Sequence, residues 1–268
     1  MPGTDAWDHL RWRTPEALLE LGLGRSRMVM VNEAHNVDLR CVRTREIGRR
    51  LLPVAHRLGV RHLAMETLWN GGLRHLTREA NATRRLPVVA SGYLAQPEMR
   101  ALIQDSLDLG WTLHPYEADF DQPPPGTVAR TEKEWRGIER RGRIDWREGE
   151  QARNLVAVLR SLPEDARLLV WCGWSHLAKA PLQGMPWMAC RFTQLSGIEP
   201  FCIDQTVTVS LGPDHAPFRD FLSAVRPRLE ALGGTAGLLA EEAAQAPEMS
   251  EMVARADAFV FSLHNEVE

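Results

Sequence analysis

Short apolar runs alternate along this chain with longer stretches in which apolar residues recur at helical spacing. The runs predict buried strands at 28–31, 61–65, 111–116, 167–172 and 201–203. The stretches between them predict helices at 15–24, 39–58, 97–109, 147–162 and 187–195. Apolar strands that alternate with helices are typical of a parallel sheet covered on both faces. We therefore predict an α/β fold with a mainly parallel central sheet flanked by helices.

Two regions depart from this alternation. Residues 122–143 open with a Pro-rich run and are dense in charge, which predicts an irregular charged insertion, either a flap or a solvated excursion. Residues 212–257 predict a helical C-terminal region, with helices at 217–232 and 235–256, before the apolar run Ala258–Leu263 predicts a return to a last strand. Because no internal repeat is present, we treat residues 1–268 as a single domain.

Composition excludes several classes of partner. The chain has 268 residues, 32 Lys+Arg and 35 Asp+Glu, and a net charge of −3. Because charge is balanced, it offers no basic field for nucleic acid or an anionic membrane. No stretch reads as a signal peptide or a membrane span, so we expect a cytoplasmic protein. The four cysteines, Cys41, Cys172, Cys190 and Cys202, form no CxxC pair and predict free thiols.

Polar side chains follow almost every predicted strand. They are Asn32, Glu33 and His35 after the first strand, Glu66 after the second, Glu117 after the third, His176 after the fourth, Asp204 after the fifth and His264 after the last. The carboxyl ends of parallel strands meet at one edge of a sheet, where ligands bind. The alternative is that each is a loop residue facing water. That would explain a polar residue after one strand, but it explains less well why polar residues follow almost every strand. We therefore predict an active site at this edge.

Four motifs, taken in order, resemble the erythromycin esterase family. They are Asn32-Glu33-Ala34-His35, Met65-Glu66-Thr67, Arg147-Glu148 with Ala152 and Asn154, and the segment Val170-Trp171-Cys172-Gly173-Trp174-Ser175-His176. That family belongs to a superfamily that includes the Tiki metalloproteases and the ChaN haem-binding proteins, and the resemblance covers roughly residues 27–205. It implies a bacterial hydrolase with its site on these motifs.

The chain also departs from the family pattern. Asn32 stands where the family has Gly, the first loop is one residue shorter, and Gly-Trp-Ser-His replaces a pattern with two histidines. The chain is shorter than the antibiotic-resistance esterases as well. We therefore expect a compact, divergent member that acts on a small-molecule or peptide-like metabolite of secondary metabolism rather than on a macrolide.

The candidate catalytic roles follow from chemistry and from the resemblance. We expect His35 to be a general base oriented by Glu33 or Glu66, because an imidazole accepts protons near neutral pH. His176 is expected to be a second acid or base, or a donor to a developing oxyanion. The resemblance adds Arg147. The predicted substrate-binding residues are Arg43, Trp69, Glu117, Trp146, Trp174, Asp204 and His264.

Several alternatives remain open at this stage. The frame supports ester or amide hydrolysis, and with water excluded it supports proton abstraction leading to elimination or cyclisation, so the enzyme is an esterase-like hydrolase or a biosynthetic lyase or cyclase. No cofactor is predicted, but His35, Glu66 and His176 are the alternative ligands of a divalent metal. A haem- or ligand-binding protein is the alternative of another class.

Overall fold

The computed structural model describes residues 10–34, 42–89, 92–120, 140–206, 216–245, 249 and 252–263. Two predicted site residues, His35 and His264, lie outside these ranges. Residues 121–139, most of the predicted insertion, lie outside them too.

Seven strands in the described part of the chain form one sheet in the order β3-β2-β4-β1-β5-β7-β6. The strands are β1 Met28–Glu33, β2 Val60–Met65, β3 Thr112–Pro115, β4 Arg167–Gly173, β5 Phe201–Asp204, β6 Thr235–Leu239 and β7 Ala258–Ser262. Neighbouring strands are parallel except β6 and β7, which are antiparallel. The predicted α/β fold with a mainly parallel sheet is therefore confirmed.

Helices cover both faces of this sheet. They are α1 Pro15–Arg25, α2 Val42–Arg57, α3 Arg74–Thr83, α4 Pro97–Asp108, α5 Arg140–Ser161, α6 Met188–Ser196, α7 Ala216–Ala231 and the short α8 Ala240–Ala243. Apolar residues of α1, α2 and α4 pack on one face, and those of α5, α6 and α7 pack on the other. Among the described helices, none is both long and apolar enough to cross a membrane.

Local sequence explains where several helices begin. The Thr14 hydroxyl accepts a hydrogen bond from the Ala17 amide at the start of α1, and Pro15 occupies the first helical position, where no amide donor is needed. Pro97 opens α4 in the same way. The strands β1 and β4 carry almost continuous apolar residues because both of their faces are buried.

The structure corrects three sequence predictions. The helix predicted over 235–256 was wrong, because Thr235–Leu239 is strand β6 and, among the described residues that follow it, only Ala240–Ala243 form an α-helix. A short apolar run flanked by helix-forming alanines has no periodicity that separates strand from helix. Helix α5 begins at Arg140, inside the predicted insertion, so Arg147 lies about two turns within it. Helix α3 was not predicted.

Candidate functional site

His176 lies between two carboxylates beyond the carboxyl end of β4. The strand ends at Gly173, and the 3-10 turn Trp174–Leu177 carries the imidazole back over the sheet. Its Nδ1 lies 2.8 Å from Oε1 of Glu148, and its Nε2 lies 3.2 Å from Oε2 of Glu66. All three side chains are buried, with exposed fractions of 8%, 1% and 4% for His176, Glu148 and Glu66. We call these residues the histidine cluster.

The histidine cluster favours the charged form of the imidazole. Burial alone would lower the pKa of His176, but the negative charges of Glu66 and then Glu148, with the hydrogen bond to Glu148, outweigh it and raise the pKa above 6.5. Both ring nitrogens face carboxylates, so both can donate once the ring is protonated. This arrangement suits a proton donor or a stabiliser of negative charge.

Glu148 is itself held in place by the backbone. Its Oε2 accepts a hydrogen bond of 2.8 Å from the amide of Met188, the first residue of α6. The amino end of a helix carries partial positive charge and unsatisfied amides, which favour a carboxylate there. Glu148 therefore orients His176 from a fixed position between α5 and α6.

Arg147 joins two of the strand-end carboxylates. Its Nε lies 3.0 and 3.1 Å from the two oxygens of Glu117, its terminal nitrogen contacts Glu117 as well, and that nitrogen lies 3.3 Å from Oε2 of Glu66. Burial opposes the guanidinium charge, but Glu117 and Glu66 outweigh it and raise the pKa of Arg147. Arg147 thus offsets the negative charge gathered at the ends of β2 and β3.

Two further α5 side chains complete this arrangement. Residues 147, 151 and 154 are spaced to lie along one side of a helix. The amide of Gln151 donates to Glu117 over 3.0 Å and to Glu66 over 3.4 Å. Asn154 donates to the carbonyls of Tyr116 and Glu117. The α5 helix therefore fixes both the side chain and the backbone of Glu117.

Glu33 is held on the other side of the rim by an arginine. The carboxylate of Glu33 lies 2.8 and 3.3 Å from the guanidinium of Arg45, and Arg45 also donates to Gln96. Both charged side chains are almost fully buried. Sequence analysis favoured Arg43 for this region, but Arg43 donates to Thr235 and Ser262 near β6 and β7. The structure therefore places Arg45, not Arg43, beside Glu33.

Asn32 and Asp204 form a separate polar contact between β1 and β5. The Asn32 amide lies 2.8 Å from Asp204 Oδ1 and 2.8 Å from the Trp174 carbonyl. Asp204 also accepts from the amide and the hydroxyl of Thr206. Asn32 thus fixes the turn that carries His176. These contacts of Asp204 join β5 to β1 and to the segment that follows β5.

The three predicted aromatic residues lie in different surroundings. Trp69 packs partly buried against the core of the α2 face. Trp146 meets Phe120 edge to face, with 5.7 Å between the ring centroids. Trp174 is 39% exposed and has a backbone φ of 32°, a region that non-glycine residues rarely adopt. Strained residues of this kind concentrate at functional sites.

Sequence reasoning missed four residues that the structure brings to the rim. Glu148 was quoted only within a motif, Arg45 was passed over for Arg43, and Gln151 was not considered. Tyr93, on the 3-10 turn Tyr93–Ala95, was also missed. Burial and the charges of Glu66 and Glu33 raise the pKa of its phenol, so it lies within electrostatic reach of both carboxylates. The helical spacing from Arg147 to Gln151 was the available signal for Gln151.

The metal alternative has no support in the described part of the chain. Within the described ranges, no group of three or more His, Cys, Asp or Glu side chains is arranged to hold a metal ion. His35, one of the predicted ligands, lies outside those ranges.

Comparison with known proteins finds similarity only to solved structures. No protein family model and no curated protein matches the sequence. A structure described as "Bacterial protein toxins" has a TM-score of 0.47 at 16% identity, covering 71% of this chain and 36% of that chain. RRSP, a MARTX toxin effector domain from Vibrio vulnificus CMCP6, has a TM-score of 0.44 at 18% identity, covering 66% and 34%.

A third structure, the type III effector HopBA1, has a TM-score of 0.44 at 12% identity and covers 76% of this chain and 89% of that chain. This chain therefore spans about a third of the length of the toxin structures and most of the length of the effector. Likeness of this degree does not indicate the reaction.

Proposed function

We propose that this protein is a hydrolase-like enzyme that uses acid–base chemistry at the carboxyl rim of the sheet on a small-molecule or peptide-like substrate. The observation that carries the proposal is the histidine cluster, in which His176 is buried between Glu66 and Glu148. Burying two carboxylates and an imidazole together is costly unless they neutralise one another, and such clusters are typical of catalytic sites.

The roles divide between two histidines. His176 has a raised pKa, and its Nε2–H, which faces Glu66, is suited to donate a proton or a hydrogen bond to the carbonyl oxygen or the leaving group once the substrate takes the place of that contact. His35 is proposed from the sequence as the general base that takes a proton from water. The water oxygen then attacks the carbonyl carbon, and the leaving group departs with the proton that His176 supplies.

The remaining charged residues support this chemistry. Arg147 offsets Glu66 and Glu117, which keeps two carboxylates close to the reacting region. Glu33, held by Arg45, ends the strand that leads to His35. If water is excluded, proton abstraction by the same base leads instead to elimination or cyclisation.

We also propose that the chain is a divergent member of the erythromycin esterase and Tiki–ChaN superfamily. Support comes from three motif residues that are far apart in sequence. Glu66 lies 3.3 Å from Arg147 and 3.2 Å from His176. The divergent positions, such as Asn32, contact structural groups rather than interrupt this frame.

The proposal is tested by steady-state kinetics of the purified chain on p-nitrophenyl acetate, p-nitrophenyl butyrate and a peptide p-nitroanilide. We expect turnover of at least one of them, reduced by about 100-fold or more in His35→Ala and by about 10- to 1000-fold in His176→Gln. His75→Gln, an exposed histidine on α3, is the matched control and should keep full activity. Absence of any turnover in the unmodified chain, or full activity in His176→Gln, would contradict the proposal.

A further inference from the structure

A groove lies next to the histidine cluster, between the segments that follow β2 and β3. Its volume is about 480 Å³, within the range of ligand pockets. The described residues that line it are Leu68, Asn70, Gly71, Gly72, Leu73, Glu117, Ala118, Asp119 and Phe120. Glu117, which also binds Arg147 and Gln151, is thus shared by the groove and the proposed site.

The two walls of the groove are fixed to each other. The amide of Asn70 donates to the Glu117 carbonyl across the groove. Gly71 has a φ of 52° and approaches so closely that a Cβ there would lie 2.8 Å from Oδ1 of Asp119. A glycine is therefore needed for this approach. These contacts form the groove before a ligand arrives, which lowers the entropic cost of binding.

The groove is apolar where it opens to solvent. Leu73 is 55% exposed and Phe120 is 50% exposed, and both line it, while Leu68 below them is buried in the core. Exposed apolar side chains gathered in one concavity mark binding sites. The edge-to-face contact with Trp146 holds the Phe120 ring.

The charges in the groove are acidic. Glu117 and Asp119 supply carboxylates, and the described lining residues include no Lys or Arg. An anionic ligand of the same size would lose its hydration without gaining a cationic partner from the described lining residues, while a neutral apolar group would bury surface against Leu73 and Phe120.

We propose that this groove is the specificity subsite of the enzyme and takes an uncharged apolar group of the substrate, with room for at least one aromatic ring. The inference rests on the proposed function for its place beside the reacting groups. Glu66 and Glu117 end adjacent strands, so a substrate whose reacting carbonyl lies at His176 can extend past Glu117 into the groove.

The test is ligand-observed ¹⁹F NMR titration with 4-fluorobenzyl alcohol and, as its anionic counterpart, 4-fluorobenzoate. The unmodified chain should bind the alcohol with a dissociation constant of at most about 10 mM and the benzoate at least about 10-fold more weakly. Leu73→Ala and Phe120→Ala should each weaken alcohol binding by about 3- to 10-fold.

Leu195→Ala is the matched control, because Leu195 is a comparably exposed leucine on α6. It should bind the alcohol as the unmodified chain does, and circular dichroism would verify that all variants fold. No binding of the alcohol up to about 10 mM, equal binding of the benzoate, or equal effects of Leu73→Ala and Leu195→Ala would each overturn the proposal.

His176→Gln separates this proposal from the proposed function. It should bind the alcohol normally, since His176 does not line the groove. If His176→Gln binds the fragment normally and keeps full activity, the subsite stands and the proposed chemistry is overturned. If His176→Gln loses turnover but the unmodified chain does not bind the fragment, the subsite alone is overturned.

Discussion

The imidazole Nδ1 of His176 lies 2.8 Å from the carboxylate of Glu148, which a backbone amide of α6 holds from its other side. This contact fixes which nitrogen faces the carboxylate and leaves Nε2 directed at Glu66. The charge state of His176 therefore depends on two acids that reach it from different elements, a helix and the end of a strand.

Glu148→Gln should lower the pKa of His176, because it removes a neighbouring negative charge but keeps an oxygen for the Met188 amide. Turnover above neutral pH should fall at least about 10-fold, since less of the imidazole is protonated. NMR titration of the imidazole measures the pKa. Glu150→Gln, on the same helix and paired with Arg153, should change neither quantity. An unchanged His176 pKa in Glu148→Gln would contradict the claim that the charge of Glu148 stabilises the protonated imidazole.

Arg147→Lys should reduce kcat/KM by about 10- to 100-fold, because an ammonium group cannot bind both oxygens of Glu117 and also reach Glu66. The side chain is about a third exposed, so we expect only a small loss in the free energy of unfolding. Kinetics and urea denaturation check the two parts. Arg153→Lys serves as the control, and equal kinetics for the two variants would contradict this role.

The sequence predicted best those features for which a residue type has a single physical cause, namely the apolar strands and the polar residues that follow them. The apolar strands and the polar residues that end them were visible because buried parallel strands tolerate few polar groups. That is why Glu66, Glu117 and His176 could be placed together before the structure was known.

The partners of those residues could not be predicted in the same way. The pairing of Glu33 with Arg45, rather than with Arg43, depends on which side of α2 faces the sheet. Glu148 is distinguished from other acids of α5 only by its contact with His176 and α6. Strand β6 was missed because its run of five residues has too little periodicity to identify it.

Gly48→Ala should destabilise the fold by about 1–3 kcal/mol and reduce activity. Helix α2 packs so closely on the sheet that a Cβ at Gly48 would lie 2.4 Å from the Trp171 ring. Since Arg45 lies one turn earlier on that helix, displacing α2 also moves the partner of Glu33. Urea denaturation and kinetics test both effects. Gly149→Ala in α5, which meets only flexible arginine ends at 3.5 Å, should not destabilise the protein.

Chelation should leave activity unchanged, because the proposed chemistry uses only side chains. Elemental analysis of purified protein should accordingly find no stoichiometric zinc, manganese or iron. Loss of turnover on treatment with a chelator, restored by one added metal, would favour the alternative in which His35, Glu66 and His176 bind a metal whose water is the nucleophile.

The pair His62 and His114 should make stability depend on pH in a defined window. Nδ1 of His62 lies 3.1 Å from Nε2 of His114, and burial followed by the charge of His62 lowers the pKa of His114 to about 4. The unfolded chain, with an ordinary pKa of 6.5, binds more protons than the folded chain between these values. The free energy of unfolding should therefore rise with pH from about 4 to 6.5, by about 1–3 kcal/mol.

This effect is measured as the difference between the unmodified chain and His114→Gln in urea denaturation at several pH values. The comparison is needed because His176 acts in the opposite sense. Its pKa is raised in the fold, so its contribution is present below 6.5 and is lost as pH rises through the folded-state pKa. If His114→Gln leaves the pH dependence unchanged, the histidine pair does not titrate as its burial and spacing require.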